Sequence, residues 1–353
     1  MSSPLGLAGL ARATGLAGAL ALAACHPKDA TPPATGAAEL GGGLVAGYAE
    51  ALAAGDRLLA AGDGAHALEA YQRAQVLDRR RAAPLVGMAR ARLAAADVGQ
   101  GFGTGEGDPA VERAADELAA ALALEPGDPA AELELGRTRL LLGDAPGALA
   151  PLERAAERTP DDADVQGALG VARLGAGQAE GAIQALLRAT LLDPREAARH
   201  DVLATALLAL GNQAEAEREQ RAAVALAPDE ARYHAQLGAA LLARDAAVEA
   251  AAELERALAL EPERAEYLNN LGFAYERLGR ADDALARYRR ATERDPELGS
   301  AWLNLGNALG RRGDFAPARA CFDKAAALDP KDARVAVARA ELDELEKSRA
   351  PAA

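Results

Sequence analysis

From residue 48 onward, apolar positions fall three and four apart in short runs that break at a constant interval. Leu237 and Leu241 belong to one run and Leu254 and Leu258 to the next, a spacing that lines one side of a helix. The breaks are as regular as the runs. Pro126, Pro160, Pro194, Pro228, Pro262, Pro296 and Pro330 stand 34 residues apart, and a proline cannot continue a helix. Near the middle of most intervals lies a glycine, Gly143, Gly177, Gly211, Gly279 or Gly313, with Asp245 in that place once. Both residue types tolerate the left-handed backbone that joins two helices. Each interval therefore predicts two helices of about 14 residues, the first ending at the glycine and the second before the proline.

Other positions repeat in phase. Counted from the third residue after each proline, the eighth place is small (Gly136, Gly170, Ala204, Gly238, Gly272, Gly306). The twentieth and twenty-seventh are alanine, as in Ala148 and Ala155 or Ala284 and Ala291. A unit this small buries its apolar face only by stacking on its neighbours, which predicts a solenoid with a long binding surface. Leu268, Leu271, Gly272, Tyr275, Ala284, Tyr288, Ala291 and Pro296, then Trp302, Leu305, Gly306, Ala318, Phe322, Ala325 and Pro330, resemble the tetratricopeptide repeat in both spacing and residue type. The resemblance implies an all-α fold, a right-handed superhelical solenoid of helix-turn-helix tetratricopeptide repeats. Eight repeats are expected over 48–332, with Gly55, Gly62, Ala67, Tyr71 and Ala74 in phase in the first. The second carries a 13-residue Gly-rich insert near 97–109. A capping helix and tail follow at 333–353, with Val335, Ala338, Leu342 and Leu345 as the apolar stripe.

The N-terminus has a different character. Residues 1–24 hold one charge, Arg12, and the apolar run Leu16–Ala24, and lead into Leu22-Ala23-Ala24-Cys25. A short apolar segment ending in small residues reads as a secretory signal and not as a permanent span. The tetrapeptide resembles the bacterial lipobox, which implies cleavage before Cys25 and acylation of that residue. Residues 25–47, with Pro32-Pro33 and Gly41-Gly42-Gly43, read as a lipidated cysteine and flexible tether. His26 in place of aspartate, by the same resemblance, implies sorting to the outer membrane, facing the periplasm.

The charge balance narrows the partners. Its formal net charge of −14 disfavours nucleic acid, whose phosphates it would repel, and electrostatic attachment to anionic lipid. Catalysis finds no foothold: Ser300 and Ser348 are the only serines beyond the leader, and neither lies in a nucleophile elbow. Cys321, between Ala320 and Phe322 in a second helix, reads as core filler. His200 and His234 share the fourth place of adjacent units. That place also holds Trp302, so packing is expected there and no metal, and no cofactor is called for. The glycines Gly99, Gly101, Gly103, Gly105 and Gly107 are followed by Asp108 and Pro109. A phosphate loop needs Lys and Ser or Thr after its last glycine, so the insert is expected to be a flexible surface loop with Phe102 near its tip.

In the family resembled, the first helix of each unit lines a concave groove. Mapped here, the early units offer Arg137, Leu140, Leu141, Val171, Asp201 and Thr205. The partner-binding groove is expected in the last units, at Asn269, Asn270, Phe273, Arg277, Asn304, Asn307 and Arg311. Amides can pair with a peptide backbone and guanidinium groups with carboxylates. The carboxylate clamp of some relatives needs lysines in this groove, and the mapped positions hold none. The expected function is a membrane-tethered scaffold for protein–protein interaction in the bacterial envelope, assisting assembly of a complex such as a pilus or secretion secretin. The alternative is an adaptor that recruits peptidoglycan- or protein-processing enzymes.

Overall fold

The computed structural model describes residues 42–96 and 103–349; the expected signal, Cys25 and the tether up to residue 41 lie outside them. Every regular element among the described residues is an α-helix. The first repeat holds α1 (Gly42–Ala60) and α2 (Gly64–Leu77), and the second α3 (Ala83–Ala95) and α4 (Pro109–Leu124). Next come α5 (Pro129–Leu141) with α6 (Ala145–Arg158), α7 (Ala163–Gly175) with α8 (Ala179–Leu192), and α9 (Ala197–Ala209) with α10 (Gln213–Leu226). The last repeats hold α11 (Ala231–Ala243) with α12 (Ala247–Leu260), α13 (Ala265–Arg277) with α14 (Ala281–Arg294), and α15 (Gly299–Arg312) with α16 (Phe315–Leu328). A seventeenth helix, α17 (Ala333–Arg349), follows. The chain forms two compact units, one up to residue 206 and one from residue 207 onward.

The periodic residues make this pairing possible. Gly143, Gly177, Gly211, Gly279 and Gly313 all have positive φ, and Asp245 adopts the same region at φ 63°. The glycine at the eighth place lets the second helix approach. A Cβ on Gly136 would lie 2.3 Å from Leu152, on Gly272 2.7 Å from Tyr288, and on Gly306 2.5 Å from Phe322. Ala204 stands where glycine recurs. The repeated alanines pack without exposure, Ala148, Ala182, Ala250, Ala155 and Ala257 all being fully buried.

In the unit ending at residue 206, Ala89, Ala114, Leu118 and Leu135 form one core cluster and Ala67, Tyr71 and Ala91 another. Aspartates cap its helices: Asp108, Asp128 and Asp162 accept backbone N–H groups of α4, α5 and α7, which satisfies donors the helix start leaves open. Pro151 sits inside α6 and cannot donate to the carbonyl of Gly147. Arg139 Nη1 donates to that oxygen instead, at 3.1 Å. In the unit from residue 207, one continuous core runs from Ala235 to Leu342 and includes Tyr275, Tyr288, Phe322 and Cys321. Burial pushes the Cys321 thiol up to about 11. Val335, Ala338 and Leu342 of α17 close this core.

Two expectations are corrected. The tether does not run through residue 47, because α1 starts at Gly42. Leu44, Tyr48 and Leu52 keep helical spacing across the supposed boundary, and Gly47 sits close to α2, where a Cβ would lie 3.7 Å from Leu77 Cδ1. The insert near 97–109 is not wholly a loose loop either. Its described half, residues 103–107, forms turns in which Gly103 N–H donates to the Leu140 carbonyl and Gly105 N–H to that of Leu141, each at 2.9 Å. Those carbonyls lie at the end of α5, where helix carbonyls run short of donors; that of Leu140 also accepts the Gly143 N–H at 3.0 Å. Gly105 is buried against Val111.

Candidate protein-binding site

The seven residues expected in the late groove divide between two first helices. α13 carries Asn269, Asn270, Phe273 and Arg277, and α15 carries Asn304, Asn307 and Arg311. Asn270, Phe273 and Arg277, and likewise Asn304, Asn307 and Arg311, run three and then four residues apart along one face of each helix, with Asn269 four before Phe273. The two faces are joined directly, for Asn304 Nδ2 donates to Asn269 Oδ1 at 2.9 Å. Asn269 and Asn270 are each only 5% exposed, so they are not the open amides the sequence suggested. Asn304 and Asn307 are half-buried. Neither Asn270 nor Asn307 makes a side-chain hydrogen bond among the described residues; the half-buried Asn307 amide is thereby available to a ligand, while Asn270 reaches the surface only slightly. Phe273 packs partly into the core cluster.

The arginines are already engaged, which corrects the expectation of two guanidinium groups ready for an incoming carboxylate. Arg277 Nη2 pairs with Asp245 Oδ1, the residue that takes the turn glycine's place. Arg311 Nη2 pairs with Glu276 Oε1 at 2.6 Å. Glu276 has a second partner, accepting from the Tyr288 hydroxyl at 3.2 Å. Burial, then the neighbouring Glu276 carboxylate, holds that phenol well above its ordinary range, so it stays a neutral donor. The surface offered by the last two repeats is thus amide-rich and locally charge-compensated.

The early groove is less open than expected. Leu140, Val171 and Asp201 are buried. Thr205 Oγ1 donates to the Asp201 carbonyl at 3.1 Å, and Arg137 lies 3.5 Å from Asp164. Asp164 also pairs with the buried Arg199 at 2.5 Å, which ties α7 to α9 and leaves little polar surface for a partner. His200 and His234 occupy equivalent places, but Nε2 of each meets a proline carbonyl, Pro194 at 3.1 Å and Pro228 at 2.9 Å. Nδ1 of His234 lies 2.6 Å from Glu253. Both nitrogens of His234 and Nε2 of His200 are thus engaged within the repeats. Sequence reasoning missed Asp245 as the partner of Arg277, although its departure from glycine at a turn was the available signal.

Models of the tetratricopeptide repeat match residues 110–172, 236–298, 269–333 and 303–353. No curated protein sequence matches the chain. Among solved structures, the hetero-tetramer of Cut9 and Hcn1 from the APC/C is similar over 81% of this chain and 55% of that one, at 15% identity and a TM-score of 0.59. The present chain therefore spans about half of that structure's length. A tetratricopeptide repeat protein from Parabacteroides merdae aligns over 75% of this chain and 97% of its own, at 14% identity and a TM-score of 0.55. PilF of Pseudomonas aeruginosa aligns over 60% and 97%, at 20% identity and 0.52. At these identities the likeness is one of fold.

Proposed function

Because the chain belongs to the tetratricopeptide repeat family, whose members mediate protein–protein interaction and complex assembly, we propose that it is a non-catalytic scaffold tethered to the bacterial envelope. Cys25 is the proposed lipidation site, and the outer membrane, on its periplasmic side, the proposed location. The repeats then present the face of α13 and α15 to a protein partner during assembly of a complex such as a pilus or secretion secretin. A fold shared with PilF of Pseudomonas aeruginosa is consistent with that choice of complex.

One observation carries the reading: the Asn304–Asn269 bond joins two successive first helices, and the amides of Asn270 and Asn307 stand beside it. An extended backbone laid across them finds donors and acceptors at a spacing fixed by the repeat. The test is affinity capture from envelope membranes with the full chain and with an Asn270→Ala, Asn307→Ala variant, alongside labelling by radioactive fatty acid in wild type and Cys25→Ser. Specific partners lost by the amide variant, and label lost by Cys25→Ser, support the scaffold. Equal labelling of Cys25→Ser overturns the tether, and equal capture by the amide variant overturns the groove.

A further inference from the structure

The outward face of α8 departs from that of every other second helix. Its twenty-fifth and twenty-ninth repeat places hold Leu187 and Leu191, which are 51% and 82% exposed. Elsewhere these places carry charged residues, alanine or, in the first repeat, Gln72, as in Glu153, Glu255, Ala259 and Glu293; Val76 is the other large apolar residue among them. Leu192 adds apolar surface at 37% exposure. One exposed leucine means little, but two separated by one helical turn form an edge that a second helix can cover.

The spacing says what shape fits. Gln184, Leu187 and Leu191 run three and then four residues apart, the alternation by which one helix seats its side chains between those of another. The charges say what sign fits. Arg188 is paired with Asp161 at 2.9 Å, and Glu153 with Arg173 at 3.5 Å. Glu180, one turn before Gln184, and Glu157, at the place Leu191 holds one repeat later, are exposed and have no ion-pair partner among the described residues. Arg195, four residues past Leu191, is also exposed without an ion pair among the described residues, so the balance of Glu157, Glu180 and Arg195 is net negative. We propose that the Leu187–Leu191 edge of α8 is a second docking surface, separate from the amide groove, that takes a basic amphipathic helix of a partner protein. Leucines of that helix cover Leu187 and Leu191 while its Lys or Arg residues face Glu157 and Glu180. The proposal does not depend on the function assigned to α13 and α15.

The test uses the full chain and two 21-residue model helices with leucine at both core heptad places, one flanked by lysine and one by glutamate, read by fluorescence anisotropy. The basic helix should bind, and Leu187→Gln with Leu191→Gln should weaken it by roughly tenfold or more, since covering the two leucines supplies its apolar contact. Circular dichroism checks that this variant keeps its helicity. Glu157→Lys with Glu180→Lys, on exposed positions, should weaken the basic helix and improve the acidic one. Binding of the basic helix that survives the glutamine variant, or equal binding of both helices to wild type, overturns the proposal. So does a wild-type dimer in sedimentation velocity that the glutamine variant lacks, because the occupant is then a second copy.

Discussion

Trp302 Nε1 donates to the carbonyl of Pro296, six residues before it, at 2.9 Å. The same reach recurs from Gln166 to Pro160 at 3.0 Å, from His200 to Pro194 at 3.1 Å and from His234 to Pro228 at 2.9 Å. Four side chains of three chemical kinds thus perform one task, an N–H group closing the turn between repeats. At this place Glu132 has no donor and instead takes Arg154 at 2.8 Å. Where the fourth place carries an N–H at that reach, it closes the turn; Glu132 and Leu268 hold the same place without one.

Trp302→Phe keeps an aromatic ring but removes the donor with the five-membered ring that carries it. It should lower stability by about 0.5–1.5 kcal/mol, the net value of one hydrogen bond near the surface. Urea unfolding followed by circular dichroism measures it, and an unchanged midpoint would mean that packing alone holds the indole.

Gly272→Ala places a methyl group 2.7 Å from the Tyr288 ring and should cost about 1–3 kcal/mol by overpacking. Tyr288→Gln replaces the rigid ring with an unbranched chain that can turn aside from the added methyl group. The double variant should then lose less than the sum of the two single ones, a coupling that a double-mutant cycle in urea detects.

Asn304→Ala leaves the buried Asn269 Oδ1 without its donor and should cost about 1–2 kcal/mol. Asn307→Ala removes no internal bond and should stay within about 0.5 kcal/mol. Equal losses in thermal or urea unfolding would show that the Asn269–Asn304 bond does not stabilise the stacking of α13 on α15.

His66 and Asp63 give a pH dependence at the start of α2. Asp63 accepts the His66 backbone N–H at 3.2 Å, and its other oxygen lies 2.7 Å from His66 Nδ1. These bonds lower the Asp63 pKa, the backbone bond contributing most, while the side-chain bond raises that of His66. For a raised histidine, the stabilisation is full below its unfolded value and fades as pH rises through the folded one. For a lowered aspartate, it is full above the unfolded value and fades as pH falls through the folded one. The cap is therefore best formed between the two titrations. Proton NMR should find His66 titrating above its ordinary value, and Asp63→Asn should bring it down; an unmoved midpoint would contradict the geometry.

The amides of Gly103 and Gly105 should exchange more slowly with deuterium than a loose glycine-rich loop permits, because both are bonded to the end of α5. Exchange at the intrinsic rate would show that the insert is detached in solution.

Much of this was legible in the residues. Period, helix pairing, the left-handed turns and the small eighth place follow from local rules, since proline, glycine and apolar spacing act within a few residues of themselves. Asp245 at φ 63° could be anticipated because aspartate tolerates the backbone its glycine counterparts adopt. That the residues expected in the late groove lie on first helices was legible too, although what those side chains touch was not.

Contacts between residues far apart in sequence were decided by the tertiary structure alone. The sequence presents Arg277 and Arg311 as free cations, yet stacking brings Asp245 and Glu276 to them across 32 and 35 positions. It presents Asn269 as an open amide, yet the following first helix buries it and supplies Asn304. It presents the insert as a glycine-rich loop, yet the end of α5 offers carbonyls that two of its N–H groups satisfy. A repeating sequence specifies its own unit because the unit's physics is local. Which charges are compensated, which amides remain available and which leucines stay uncovered depend on the neighbour each repeat meets, and only the stacked structure supplies that neighbour.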